Sequence, residues 1–433
     1  MEFKEYLSKR DFRDGILNSL PKSWANKPFW AIFTKSEITN QVNEQLLSVY
    51  LDRGVILYSD GGGLVHKPAE SLEKYQLVNI NDFVMNNQQA WRGSVGISSY
   101  QGIVSPAYLV FKPNKELNPQ FLKYQLRDNY LVDQFMISSL SVGTIQRQIK
   151  NHLLRAIQVP IPPQDEQKKI ATFLDTETAR IDNLIAKQEK LIELLEEQRK
   201  SIISHAVTKG LNPNAPMKDS GVEWLGEVPE HWNLKPIKFL AKTNQLTLAE
   251  NTDENYEIQY VDIGSVSRTN GIEKIETILF KDAPSRARRI VKDGDIIVST
   301  VRTYLKAIAY IENPPKNLIV STGFAVLNPI RTVIFPQYAK FTFLAEQFIA
   351  EVIAKSKGIS YPAITATELA DIKIALPPLN EQKVILQYLL EENLKMNKLI
   401  SKQNQLIEKL KEYRASIISH AVTGKIDVRE FGA

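Results

Sequence analysis

The sequence predicts an α+β chain: two mixed, β-rich globular domains joined by two long helices that form an antiparallel coiled coil with pseudo-twofold symmetry. Three observations carry this. Residues 162–208 and 377–423 are two copies of one stretch, offset by 215 without a gap and identical at about half the positions, and both end in SIISHAVT. A period this long, present twice, marks a duplicated module and not a solenoid unit. Each copy carries a sustained heptad pattern, and each is preceded by short β-rich runs separated by Gly, Asn and Asp.

The boundaries that follow are 1–161 for the first domain and 162–210 for the first long helix. Residues 211–376 form a linker and the second domain, and 377–433 the second long helix and C-terminal tail. A chain of 433 residues allows two to four domains, and the repeat makes two similar halves the natural division. Hydrophobic content of 43% and charged content of 24% suit a globular protein with a core. Cysteine is absent, which excludes disulfide frameworks and thiolate metal sites and agrees with the reducing cytoplasm, the expected location. The charged start MEFKEYLSKRDFRD does not read as a secretory signal, and no apolar run of 18 residues suggests a membrane span. The net charge of +5 decides little. Residues 1–160 carry 18 basic against 14 acidic side chains, and 220–375 carry 18 of each, so a polyanion would meet local patches and not a basic surface.

Residues 1–20 read as a polar, helical lead-in. Strands are expected at 47–51, 55–58, 77–80 and 103–111, a helix over 118–139, and a strand at 156–161. Pro162-Pro163 then opens the first long helix, with Asp165 and Glu166 placed favourably against its dipole. Its seam is expected at Ile170, Leu174, Ile181, Leu184, Leu191, Leu195 and Ile202, matched by Ile385, Leu389, Met396, Leu399, Leu406, Leu410 and Ile417. Each helix should span about 45 residues, roughly 65–70 Å. Three polar pairs fall at seam spacing: Glu177 with Glu392, Gln188 with Gln403, and His205 with His420. Such residues fix register at a cost in stability, and Gln188 and Gln403 are expected to meet near the crossing point. Lys209-Gly210 ends the first helix, and a Pro/Asn/Gly linker follows. The second module restarts with the PxxWxxKP frame of the first: Pro229, Trp232, Lys235 and Pro236 against Pro21, Trp24, Lys27 and Pro28. It should contain strands at 258–261, 295–299, 307–311 and 324–327 and a helix over 337–354. Lys357-Gly358 and Ile364 stand where the first module has Val142-Gly143 and Ile149.

No catalytic constellation emerges. Asn313-Pro314-Pro315 is like the NPP core of adenine methyltransferases, but Lys316 occupies the place of the aromatic residue that would stack a flipped base. It reads as a turn. Asp60-Gly61-Gly62-Gly63 lacks the Lys-Ser/Thr of a phosphate loop and reads as a hairpin tip. The five histidines form no metal-binding spacing. Catalytic, cofactor and metal residues are therefore expected to be none. The chemistry that remains is basic and amide-rich: Gln88, Gln89, Trp91 and Arg92, then Thr144 and Arg147, in the first module. In the second it is Arg286, Arg288, Arg289 and Lys292, then Arg302, Tyr304 and Lys306. Arg and Gln read guanine and adenine edges and also hold phosphates, so these are candidate DNA contacts. Solvated surface side chains are the alternative for any one of them.

The PPxxEQ openings at 162–167 and 377–382, the heptad helices, the SIISHAVT closures, GKIDV at 424–428 and VEWLGEVPEHW at 222–232 together resemble the specificity subunit of type I restriction–modification enzymes. The resemblance covers essentially the whole chain, in the order module, helix, module, helix. It implies a non-catalytic subunit whose two target-recognition modules each read one half of a split site in double-stranded DNA. It also implies partners: two methyltransferase (M) subunits, which would carry S-adenosylmethionine, and two restriction/translocase (R) subunits in a cleaving complex. The chain itself would hold no cofactor. One departure is that the first module has no clear GVEWLGE before Pro21, and the family's circular pseudo-symmetry implies that this end packs beside the C-terminal tail. The rival readings are a coiled-coil scaffold whose β-rich modules bind protein, which leaves the Arg/Gln clusters unexplained, and an enzyme acting alone, which lacks a cofactor site.

Overall fold

The computed structural model describes residues 5–6, 9–11, 19–51, 53–61, 67–142, 146–268 and 270–431. It divides into two compact units, 1–188 with 405–433 and 189–404. Each unit therefore holds one β-rich module, a part of one long helix and the complementary part of the other.

The two modules share a four-stranded antiparallel sheet. In the first its order is Phe33–Ser36, Tyr108–Pro113, Phe83–Asn86, Val95–Ile97. In the second it is Ala241–Thr243, Phe324–Pro329, Ile296–Ser299, Ile308–Tyr310. The inner strands are covered on both faces, with Phe83, Val84 and Met85 fully buried, as are Ile296, Ile297 and Val298. Such strands read as continuous apolar runs, as the expected strand at 295–299 does, whereas Phe83–Asn86 was not among the expected strands. The first module fills its core with stacked and edge-on rings of Phe29, Phe33, Phe83, Phe111 and Phe135. The second adds a further sheet, Glu276–Leu279, Glu257–Val261, Leu318–Ser321, Ala287–Ile290, whose central pair is parallel.

Several expected elements are subdivided. The helix over 118–139 is two helices, Pro119–Gln125 and Asn129–Ile137, because Asp128 caps the second by accepting from the Tyr130 amide at 3.0 Å. The helix over 337–354 is Pro336–Leu344 and Glu346–Lys355, broken at Ala345, whose backbone is extended. The run 103–111 is two strands, Gly102–Val104 and Tyr108–Pro113. The lead-in is not helical where it is described. Lys9–Asp11 pairs with Ser19–Pro21, as Met217–Asp219 pairs with Glu227–Pro229 ahead of the second module. The strand pair that flanks the GVEWLGE segment in the second module thus has a counterpart ahead of the first, and the residues joining that counterpart's strands lie outside the described residues.

The long helices run Gln164–Lys209 and Leu379–Val422. Gly210 (φ 75°) and Gly424 (φ 69°) follow them in left-handed conformation, the usual way a helix is stopped. Inside each unit the two helix parts run antiparallel. In the first, Ile170, Leu174 and Ile181 share a core with Ile417, Ala421 and Val422, and Asp182 accepts from Arg414 at 2.8 and 3.1 Å. In the second, Ala206 and Val207 share a core with Ile385 and Leu389, and Asn397 accepts from Arg199 at 2.6 Å. Arg199 and Asn397 stand 215 residues from Arg414 and Asp182, so one lock is written twice, as an ion pair and as a charge–amide bond.

The seam needs correcting at several positions. Leu191, Leu399 and Leu406 are 39%, 42% and 41% exposed, whereas Ile407 is 6% exposed and Ile192 and Ile400 are half-buried. In each Leu-Ile pair the isoleucine turns inward, giving 396, 400, 403, 407, 410, 414, 417, 421, a regular alternation of four and three. Leu174, Ile181, Leu195, Leu389, Met396 and Ile417 are buried, and Leu184, Gln188, Ile202, Gln403 and Leu410 are half-buried. His205 is exposed, and Ala206 holds its place.

The PPxxEQ motif fastens helix to module. Gln167, 1% exposed, accepts from the Asn118 amide at 2.7 Å and donates to the carbonyls of Glu116 and Pro162 at 3.1 and 2.9 Å. Gln382, 0% exposed, accepts from the Phe335 amide at 3.1 Å and donates to the carbonyls of Val333 and Pro377, each at 3.0 Å. The adjoining glutamates take up the module entrances. Glu166 accepts from Trp24 Nε1 at 2.8 Å and from the Tyr6 hydroxyl, and burial together with that bond raises the Tyr6 pKa. Glu381 lies 2.7 Å from His231 Nε2. Arg429 stacks 5.1 Å from the Tyr6 ring centre, and Gly424 abuts Pro21 and Trp24, so the N-terminal end does pack beside the tail.

Replacing the Gln382 amide by an isosteric hydrocarbon strands one amide and two carbonyls in a dry site. Gln382→Leu is expected to cost about 2–4 kcal/mol, read as a lowered melting temperature of the second unit by calorimetry. An unchanged transition would show that the amide is not the fastening.

Candidate functional site

In both modules the turn between the last two strands of the shared sheet carries candidate residues. In the first it follows Phe83–Asn86 and contains the one-turn helix Ala90–Arg92; in the second it follows Ile296–Ser299 and contains Thr303–Leu305. A second segment is hydrogen-bonded against each turn. In the first module this is the hairpin Ser139–Val142 with Gln146–Ile149, whose Ile149 amide donates to the Asn87 carbonyl at 3.3 Å. In the second it is the loop 357–363, closed by paired bonds between Lys357 and Ala363 at 2.8 and 2.9 Å. Ile364 N then donates to the Thr300 carbonyl at 2.9 Å. Ile149 and Ile364 are repeat mates. The two modules therefore build one device from unlike sequences: a turn and an adjoining loop at the same end of the same sheet.

The first device gathers Gln88, Gln89, Trp91 and Arg92. Trp91 Nε1 donates to the Gln88 carbonyl at 3.0 Å, which fixes the indole, and the exposed Arg92 guanidinium lies 5.8 Å from its ring centre. Gln88 is exposed and Gln89 half-buried. Arg147 differs. Its guanidinium donates to Ser139 Oγ at 2.8 Å, the Ser139 carbonyl at 3.0 Å and the Met136 carbonyl at 3.3 Å, so it ties the hairpin base to the preceding helix. It stands in a strand, four residues before the helix Asn151–Ala156. Thr144 lies outside the described residues.

The second device gathers Arg302, Tyr304 and Lys306. Arg302 (φ 51°) and Lys306 (φ 53°) are left-handed, a costly conformation for residues with a Cβ. What holds them is Thr303, 3% exposed, whose hydroxyl bonds Ser356 Oγ at 2.8 Å. Arg302 lies 5.0 Å from the ring centre of Tyr361. Lys306 is 3.4 Å from Glu346, which also pairs with Arg268. Burial would raise the Glu346 pKa, yet the Arg268 bond and charge hold it below the ordinary range. At the loop base, the Lys357 ammonium, together with the Thr365 amide, brings Glu368 down to about 2.

The run 286–292 is not one patch. Arg288 lies 4.7 Å from the Phe280 ring centre, while Arg289 bonds Thr247 Oγ1 at 3.1 Å and keeps its Nε buried. Arg286, exposed, sits by Tyr260 at 3.3 Å and Asp262 at 3.5 Å; the Tyr260 bond chiefly, with the charge of Asp262, raises its pKa. Its carbonyl accepts from Thr322, and Gly323 in turn accepts from Thr300, which brings this end of the strand toward the second device. Lys292 lies beyond the strand's other end. The residues that the sequence reading passed over are Val301, Leu305, Lys357, Ile359 and Tyr361. The match of Lys357-Gly358 to Val142-Gly143 was the available signal.

Among the described residues no group of three His, Cys, Asp or Glu side chains is placed to hold a metal ion, and no helix is long and apolar enough to cross a membrane. Asn313 (φ 47°) donates its amide to Asp293 Oδ1 at 2.8 Å in a turn between strands.

Comparison with known proteins gives a consistent result. The family model described as type I restriction modification DNA specificity domain matches residues 22–194 and again 229–409. A putative type I restriction enzyme MjaX specificity subunit from Methanocaldococcus jannaschii is 26% identical over 98% of this chain and 99% of its own length. The type I restriction enzyme EcoKI specificity subunit of Escherichia coli is 22% identical over 94% of this chain and 90% of its own. Among solved structures, a chain from a study of assembly and conformational transition of the type I R-M system aligns with a TM-score of 0.65 and 17% identity, over 94% of this chain and 99% of that one. The HsdS subunit from Thermoanaerobacter tengcongensis aligns with 0.55 and 17%, over 95% and 100%.

Arg289 and Arg147 are both hydrogen-bonded within their own modules. Arg289→Ala is expected to cost about 0.5–1.5 kcal/mol of stability through the lost bond to Thr247, seen as a lowered melting temperature. A variant that melts like the parent would return Arg289 to the set of contact residues.

Proposed function

We infer the mode of action from the fact that this chain belongs to the type I restriction–modification DNA specificity family. It is a DNA target-recognition subunit and not the catalyst. Each module reads one half of a bipartite site, and the two turn-and-loop devices are the reading heads. The observation that supports this is their recurrence: two modules of different interior sequence present an aromatic residue and an arginine at the same end of the same sheet. Side chains carried on strand-connecting turns can reach base edges while the sheet stays rigid, and Arg and Gln are the residues that make bidentate contacts there.

The long helices set the distance between the heads. Two M subunits dock on this frame, carrying S-adenosylmethionine and the methyl-transfer chemistry, and two R subunits join them in a cleaving complex. Salt-dependent binding of the chain with its M subunits to a random DNA library tests the whole reading. One enriched split sequence supports it, and no enrichment contradicts it.

Inserting four residues into both helices in register adds about 6 Å of rise. The unread spacer is then expected to lengthen by one or two base pairs of about 3.4 Å. A folded, active variant with an unchanged spacer would show that the helices are not the ruler. Arg92→Ala is expected to weaken binding by about 1–3 kcal/mol and to relax one position of one half-site. Parental affinity and specificity would remove it from the head.

A further inference from the structure

The two heads present different chemistry. The first offers amides and a guanidinium beside an anchored indole. The second offers Val301, Tyr304, Leu305, Ile359 and Tyr361, with Ile359 wholly exposed, Tyr361 65% and Tyr304 52% exposed. One exposed apolar side chain is ordinary; five on two loops bonded to each other form a patch that calls for a partner. The loops are held firmly, by the buried Thr303 and by the Lys357–Ala363 bonds, with Gly358 at φ 109° allowing the tip to turn. Segments 300–306 and 355–363 carry Arg302, Lys306, Lys355 and Lys357 and no carboxylate. Lys306, Lys355 and Lys357 pair with Glu346, Glu351 and Glu368 just outside these segments, which leaves Arg302, lying on Tyr361, as the cation beside the apolar groups. An apolar surface with an arginine set in it complements DNA, whose phosphates and base edges take the guanidinium and whose bases take the apolar groups. In the major groove the apolar feature of a base edge is the thymine C5 methyl.

We propose that the second module identifies its half-site by apolar contact of Ile359 and Tyr304 with thymine methyl groups. Arg302, stacked on Tyr361, is the polar contact that sets register beside them. The first module, by contrast, reads through hydrogen bonds. This rests on the DNA-reading function above and adds the base-edge group that one head reads.

The test uses the full chain assembled with its methyltransferase subunits and the duplex selected from the random library. Each thymine is replaced in turn by deoxyuridine, which removes the methyl and keeps the pairing. In one half-site at least one replacement should weaken binding about 3- to 10-fold, the scale of one buried methyl or two. In Ile359→Ser or Tyr304→Ser complexes that replacement should have no further effect, while replacements in the other half-site act as in the parent. Ile359 is fully exposed, so its variant keeps the fold. A complex that still prefers its target but shows no deoxyuridine position coupled to Ile359 or Tyr304 overturns the proposal. A parent complex with no sequence preference overturns the DNA-reading function itself.

Discussion

A buried glutamine amide joins each long helix to its module, and the rest of the structure depends on it. Gln167 and Gln382 each make three hydrogen bonds, to the backbone of their own motif and to a segment about 50 residues earlier. A side-chain amide has donors and an acceptor on one rigid plane, so it can bridge a carbonyl and an amide of a passing loop at once. Glutamate would lose the donors and leucine would lose everything. The next residue back, Glu166 or Glu381, is free to engage Trp24 or His231 at the module entrance. A two-residue motif thereby fixes the direction in which a sheet, and the head at its end, leaves the helix.

That constraint explains how two modules can diverge and still work alike. Both modules keep the fastening, the sheet order and the placement of the terminal turn, whatever side chains the turn carries. Trp91 and Arg92 on one turn, and Arg302 with Tyr361 across turn and loop, are different solutions mounted on one frame. The strain at Arg302 and Lys306 sits at the head and is held by Thr303 beneath it, the arrangement expected where a surface must be presented in one conformation.

Much of the frame was legible in the sequence because duplication, heptads and buried strands are periodic signals. The phase of the seam was not. Leu191-Ile192, Leu399-Ile400 and Leu406-Ile407 offer two apolar residues 100° apart, and only packing decides that the β-branched one turns in. The basic run 286–292 misled for a related reason. The strand's register shifts between Ala287 and Arg289, leaving Arg288 as the unpaired residue, so the two guanidiniums reach Phe280 and Thr247 separately although they adjoin in the chain. Arg147 also braces its hairpin, and that role was illegible because its partners include carbonyls that no sequence pattern marks. The loop 357–363 went unread because its apolar tip resembles any small, uncharged turn.

As proposed, each head governs one half of the target and nothing else. The direct measurement replaces the exposed residues 302, 304, 305, 359 and 361 of the second head by Gly or Ser, then repeats the selection from random DNA with the M subunits bound. The expected result is a selected sequence that keeps one half-site intact and loses base preference throughout the other. Retention of both half-sites, or the loss of both in a folded complex, would contradict it.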